Sequence, residues 1–163
     1  MTAGRLVLVG TPIGNLGDLP PRAVEALSHA ALICCEDTRR TGRLLQHAGI
    51  VGARLAVANE HTEVARVTQV LDVLDAGDDV AVVTDAGTPG ISDPGSRLVR
   101  AVLDAGHEVT AVPGPAAFVM ALVVSGFDTT RFVFEGFLPR KGSGRSEASG
   151  AEAPASEGSG TRP

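Results

Sequence analysis

The chain has 163 residues, 44% hydrophobic and 20% charged, which suits one globular domain with a sizeable core and excludes a wholly disordered polypeptide. With 19 acids against 14 bases, a net charge of −5 and aromatics at 3%, it is neither a basic coat for nucleic acid nor a stacking platform for single strands, so any RNA contact must come from a local patch. Its apolar runs, such as 116–124, fall short of the roughly 18–20 residues a membrane span needs, and its first residues lack a signal-peptide core, so no membrane partner and a cytoplasmic location are expected.

In chain order, short β-branched runs alternate with helical stretches. Strands are expected at 6–9, 32–35, 54–57, 80–84, 108–112 and 132–135, most of them continuously apolar, as strands buried on both faces are. The first helix opens at Pro20 and Pro21 and runs to His29; the second begins at Thr38 and stops at Gly49. The third, 62–76, carries Val64, Val67, Leu71 and Leu74 at helical spacing. A fourth is expected to be capped by Ser92 or Asp93 with Pro94 in its first turn and to end at Gly106, and a fifth spans 116–125. Strand followed by helix, repeated, predicts an α/β fold: an open, mostly parallel sheet with flanking helices. Residues 142–163 contain no Val, Ile, Leu, Met or aromatic residue, so they are expected to be a disordered tail after a domain of residues 1–141. Cys34 and Cys35 are adjacent, so they neither staple the fold nor offer spaced metal ligands, and no metal site is expected.

Ligands of such sheets sit beyond the carboxyl ends of the strands, and the loops there are unusual. The first, Gly10-Thr11-Pro12-Ile13-Gly14-Asn15, matches neither the dinucleotide nor the phosphate-loop glycine spacing. The second, Cys35-Glu36-Asp37-Thr38-Arg39-Arg40, reads first as a helix cap, since an acid before Thr38 satisfies free amides. Asn59-Glu60-His61 follows the third strand and is either a solvated turn or a working cluster. The fourth loop, residues 85–95, holds glycines and prolines that suit close approach of a ligand to the backbone, and Pro113-Gly114-Pro115 repeats that character after strand five. Several such loops on one edge, with Lys141 the only lysine, suggest a neutral or cationic ligand with adenosine and amino-acid parts.

In order and spacing these loops, with Gly136-Phe137-Leu138-Pro139-Arg140-Lys141, resemble the bacterial family of 16S ribosomal RNA 2′-O-ribose methyltransferases that modify a cytidine of the decoding region, within the tetrapyrrole-methylase-like superfamily. The resemblance covers about residues 4–145. It implies S-adenosylmethionine as cofactor, held by Ile13, Gly87, Thr88, Ile91, Ala116 and Ala117. It implies 16S rRNA of the small ribosomal subunit as substrate, with Arg39, Arg40, Arg140 and Lys141 as phosphate contacts. Asp37, Glu60 and His61 are the candidates for accepting the ribose proton or positioning the substrate. A homodimer is the usual assembly of the superfamily. Members continue into a second α/β domain, so this chain is expected to be a truncated or frameshifted copy of impaired activity, with a natural short form as the alternative. The rival expectations are a tetrapyrrole C-methyltransferase-like domain and a folded, non-catalytic binding module.

Overall fold

The computed structural model describes residues 4–59, 62–91 and 95–136. The chain divides into two units, Met1–Thr129 and Thr130–Pro163, and the fold below is that of the first.

Five strands, β1 (Arg5–Val9), β2 (Leu32–Cys35), β3 (Leu55–Val57), β4 (Val80–Val82) and β5 (Glu108–Val112), form one sheet in the order β3-β2-β4-β1-β5. Every pairing is parallel, with Leu6 and Leu32 both opposite Val80, and Leu8 and Cys34 both opposite Val82. Helices α1 (Pro21–His29), α2 (Thr38–His47), α3 (Glu63–Asp75), α4 (Ser96–Asp104) and α5 (Ala117–Val124) follow the strands in turn.

The strand alternation divides the core in two. Val7, Val9, Ile33, Cys35, Ala81 and Val83 point to one face, where Ala23 and Leu27 of α1 and Leu45 of α2 cover them. Leu6, Leu32, Cys34, Val80 and Val82 point to the other, under Val70 and Leu74 of α3 and Leu98 and Val102 of α4. Crossovers of one hand demand this arrangement: the chain steps toward β3 through α1 and α2, then back toward β5 through α3 and α4, so the helix pairs must lie on opposite faces. Leu6, Leu27, Leu32, Leu74 and Leu98 are all buried to within 1%, and each contributes roughly 1.5–3 kcal/mol of burial, an upper figure because unfolded chains are partly compact.

The α/β expectation holds, with three differences. Residues 132–135 form no strand; a strand exists only by sharing a ladder, and this segment finds none among the described residues. β4 is shorter than 80–84 because its ladder to β1 ends at Leu8–Val82, while the Thr84 carbonyl instead accepts the Thr11 hydroxyl at 3.2 Å. The N-cap of α4 is Gly95 rather than Ser92 or Asp93, which with Pro94 lie outside the described residues, as do residues 142–163.

Candidate functional site at the carboxyl edge

β4, β1 and β5 are neighbours, and their carboxyl-end loops are tied to one another. The chain leaves β1 toward β2 but leaves β4 across β1 toward β5, so the sheet changes winding direction here and a crevice opens between the departing connections. Thr11 N donates to the Gly87 carbonyl at 2.8 Å and Gly87 N returns a bond to the Thr11 carbonyl at 3.0 Å. The Thr88 hydroxyl donates to the Pro115 carbonyl at 3.2 Å, and Gly10 N donates to the Val112 carbonyl at 3.1 Å.

Glycine is required at two places in this clasp. A Cβ on Gly10 would stand 2.6 Å from the Gly114 Cα, and one on Gly114 would stand 2.7 Å from the Gly10 carbonyl carbon, so the first and fifth loops meet backbone to backbone. Gly87 has φ +92° with Ile13 Cγ2 at 3.6 Å from where a Cβ would sit, a conformation that side-chain-bearing residues rarely adopt. Of the expected cofactor residues, Ile13 stands beside Gly87, and Thr88 reaches Pro115, the neighbour of Ala116; Ile13 and Ile91 are 37% and 41% exposed on the first and fourth loops, and Ala116 caps α5, which Ala117 begins. Exposed apolar side chains on the first and fourth loops and the small Ala116 and Ala117 where α5 begins leave this edge open to a ligand.

The second loop reads as its cap. Asp37 is the N-cap of α2, its Oδ1 accepting Arg39 N at 2.8 Å, and its other oxygen lies 3.2 Å from the Arg39 guanidinium. That hydrogen bond and the Arg39 charge hold the Asp37 carboxyl below the usual range and raise the Arg39 guanidinium above its own. Arg40 turns the other way and pairs with Asp85 at 3.3 Å, while Asp85 N donates to Glu36 Oε1 at 3.0 Å. Glu36, Arg40 and Asp85 therefore link the second and fourth loops. Glu60, His61, Arg140 and Lys141 lie outside the described residues. Before them, Asn59 Oδ1 accepts Thr62 N at 3.1 Å, a side-chain turn that leads into α3.

Three contributors were not singled out from the sequence. Thr11 is buried and supplies the clasp; Asp85 joins two loops; Glu63, only 3% exposed, accepts Gly95 N at 3.1 Å and Leu98 N at 2.9 Å. No local sequence signal marked Glu63, because the amide it caps lies 32 residues further along the chain. Among the described residues no group of three or more His, Cys, Asp or Glu is placed to hold a metal, and no helix is long and apolar enough to cross a membrane.

Residues 5–158 match the family described as Tetrapyrrole (Corrin/Porphyrin) Methylases. The chain is 53% identical over 138 residues to a ribosomal RNA small subunit methyltransferase I of a Synechocystis species, covering 85% of this chain and 49% of that protein. It is 52% identical to the protein of that name from Xylella fastidiosa, over 88% of this chain and 52% of that one. For the Escherichia coli O157:H7 protein the identity is 49%, over 89% and 50%. The chain thus spans about half the length of these relatives. Among solved structures it superposes on a uroporphyrin-III-C-methyltransferase from Thermus thermophilus with a TM-score of 0.58 at 23% identity, over 78% of this chain and 55% of the other, a likeness of fold.

Proposed function

Because the chain belongs to the tetrapyrrole methylase family, we propose that it carries the methyl-donor site of an S-adenosylmethionine-dependent methyltransferase acting on 16S rRNA in the small ribosomal subunit, at the 2′-hydroxyl of a decoding-region cytidine. The observation that carries this reading is the clasp of the β1, β4 and β5 loops around Gly87. Relatives at 49–53% identity are named for ribosomal RNA, against 23% for the porphyrin methyltransferase, which favours RNA over a tetrapyrrole as acceptor.

S-adenosylmethionine supplies an electrophilic methyl group on a sulfonium; the protein supplies placement. The Thr88 backbone and the apolar flanks of Ile13 and Ile91 would hold the adenosine, Gly87 would keep that loop closed on Thr11, and Ala116 and Ala117 would leave room for the amino-acid tail. The attacking hydroxyl must lose a proton. Asp37 is a weak base, since Arg39 holds it ionised, and its work is to cap α2 and orient Arg39. Glu60 and His61, just beyond β3, are the proton-accepting candidates. Arg39 and Arg40, with Arg140 and Lys141, contact RNA phosphates.

The test is transfer of labelled methyl from S-adenosylmethionine to small ribosomal subunits from a strain lacking the modification, followed by digestion to nucleosides. The chain is assayed alone and joined to the remaining half of the Synechocystis relative. Label in 2′-O-methylcytidine is expected for the joined form. Label on a base, or only on a tetrapyrrole offered alongside, would overturn the assignment.

A further inference from the structure

The loop that carries Gly87, Thr88 and Ile91 has no helix of its own, and its only bridge in residues 85–91 is that of Gly87 to Thr11. Its two ends are held by carboxylates from other elements. At the start, Asp85 N donates to Glu36 Oε1 at 3.0 Å, across 49 residues of chain. At the far end, Gly95 N and Leu98 N both donate to Glu63 Oε1, at 3.1 and 2.9 Å. Glu63 is buried and opens α3, its own amide donating to the Asn59 carbonyl at 2.9 Å. The amino ends of α3 and α4 thus converge on one carboxylate, where negative charge is favoured. Gly95 in turn lies on the middle of the loop: a Cβ there would stand 3.5 Å from Gly90 N and 3.7 Å from Val82 Cγ1. Gly90 sits between Thr88 and Ile91, so the place of Glu63 is felt, through Gly95, at the backbone that flanks both. Glu36 directly precedes Asp37, and Glu63 follows the turn at Asn59. The second and third loops, which bear the acceptor-side candidates, therefore each reach the fourth loop through one carboxylate.

We propose that Glu36 and Glu63 are positioning residues for the methyl donor, fixing the fourth loop from its two ends so that Thr88 and Ile91 stand in place before S-adenosylmethionine arrives. Neither carboxylate touches the cofactor; each acts on it through a backbone amide of the loop. A loop ordered in advance loses less conformational entropy when the ligand binds, so the two carboxylates raise affinity without contributing a contact. At the far end both hydrogen bonds fall on one oxygen, so a carboxamide in its place keeps the geometry and gives up only the charge. The proposal rests on the reading of this edge as the methyl-donor site and adds which side chains outside the site hold it in shape.

The experiment is calorimetric titration of S-adenosylmethionine into the 163-residue chain, comparing the original sequence with Glu36→Ala, Glu63→Ala, Glu63→Gln and Asp79→Ala, each with its circular dichroism and urea midpoint. Asp79 is the control for lost stability: at the opposite, amino edge of the sheet it accepts Arg5 N at 2.8 Å and pairs with the Arg5 guanidinium at 3.0 Å. Glu36→Ala and Glu63→Ala are each expected to weaken cofactor binding about tenfold, and Glu63→Gln to return it to within about threefold of the original. Asp79→Ala is expected to lower the urea midpoint and leave the affinity unchanged. If Glu63→Ala does not fold, Glu63→Asp, which keeps the charge but withdraws it by one methylene, replaces it with the same expected loss. Original affinity in either folded variant would overturn the role of that residue while leaving the donor site intact. Equal weakening in Asp79→Ala would reduce the effect to lost stability and overturn the proposal, as would a glutamine variant no better than the alanine one. Absence of binding by the original chain would overturn the donor-site reading itself and the proposal with it.

Discussion

Cys34 and Cys35 show how far burial alone decides a residue's chemistry. Both are fully buried; desolvation, and less so the neighbouring Cys35, pushes the Cys34 thiol up to about 12, while the Cys35 thiol is raised chiefly by burial. Neither is a nucleophile at neutral pH. Iodoacetamide should leave both unmodified in the folded chain and label both once denaturant is added; rapid labelling under native conditions would contradict the burial. In the unfolded chain Cys34 ionises from about 9.0, whereas in the folded chain it stays neutral to about 12. Its contribution to stability is therefore complete below pH 9 and is lost as the pH rises toward 12. At this scale the sequence was legible where a role is local. Asp37 followed by Thr38 and Arg39 announced a cap, and a cap it is. Asp85 was not legible, because its partner Glu36 lies 49 residues away along the chain.

α4 depends on another helix for its start. Gly95 at its N-cap has no side chain and φ +126°, so the free amides of Gly95 and Leu98 are satisfied by Glu63 of α3. One carboxylate thus anchors the end of the 85–95 loop to the helix that follows Asn59. Replacing Glu63 with Ala strands two amides in a buried site and is expected to cost about 1–3 kcal/mol, read as a lowered urea midpoint. Glu63→Gln keeps an acceptor oxygen and should recover part of the loss. An alanine variant within about 0.5 kcal/mol of the original would show that the cap is dispensable. α3 itself was legible from its apolar spacing, but a cap supplied from another helix leaves no mark in the local sequence. The reverse failure is 132–135: its β-branched and aromatic residues look like a strand, yet propensity describes fitness for a ladder rather than the presence of one. α5 is apolar on every side and buries none of its residues, with Val123 and Val124 68% and 84% exposed. Its existence was legible; its lack of cover was not.

Across the whole molecule, alternating strands and helices specified an α/β sheet, but not the order β3-β2-β4-β1-β5. That order comes from which way each crossover steps, which no single segment encodes. It matters because it makes β4, β1 and β5 neighbours, so loops starting at residues 10, 85 and 113 can close on one another. The glycines and prolines of those loops were visible as unusual, while the contact between Gly10 and Gly114 became visible only once the strands were ordered. The central claim is that this clasp is the S-adenosylmethionine site. Isothermal titration of S-adenosylmethionine into the chain tests it most directly, with Gly87→Val, which forces a side chain onto φ +92°, and the milder surface change Ile91→Asp as comparisons. The account predicts saturable binding at one site per chain, lost or strongly weakened in both variants while their circular dichroism is retained. Affinity unchanged in both folded variants, or no binding by the original chain, would contradict it.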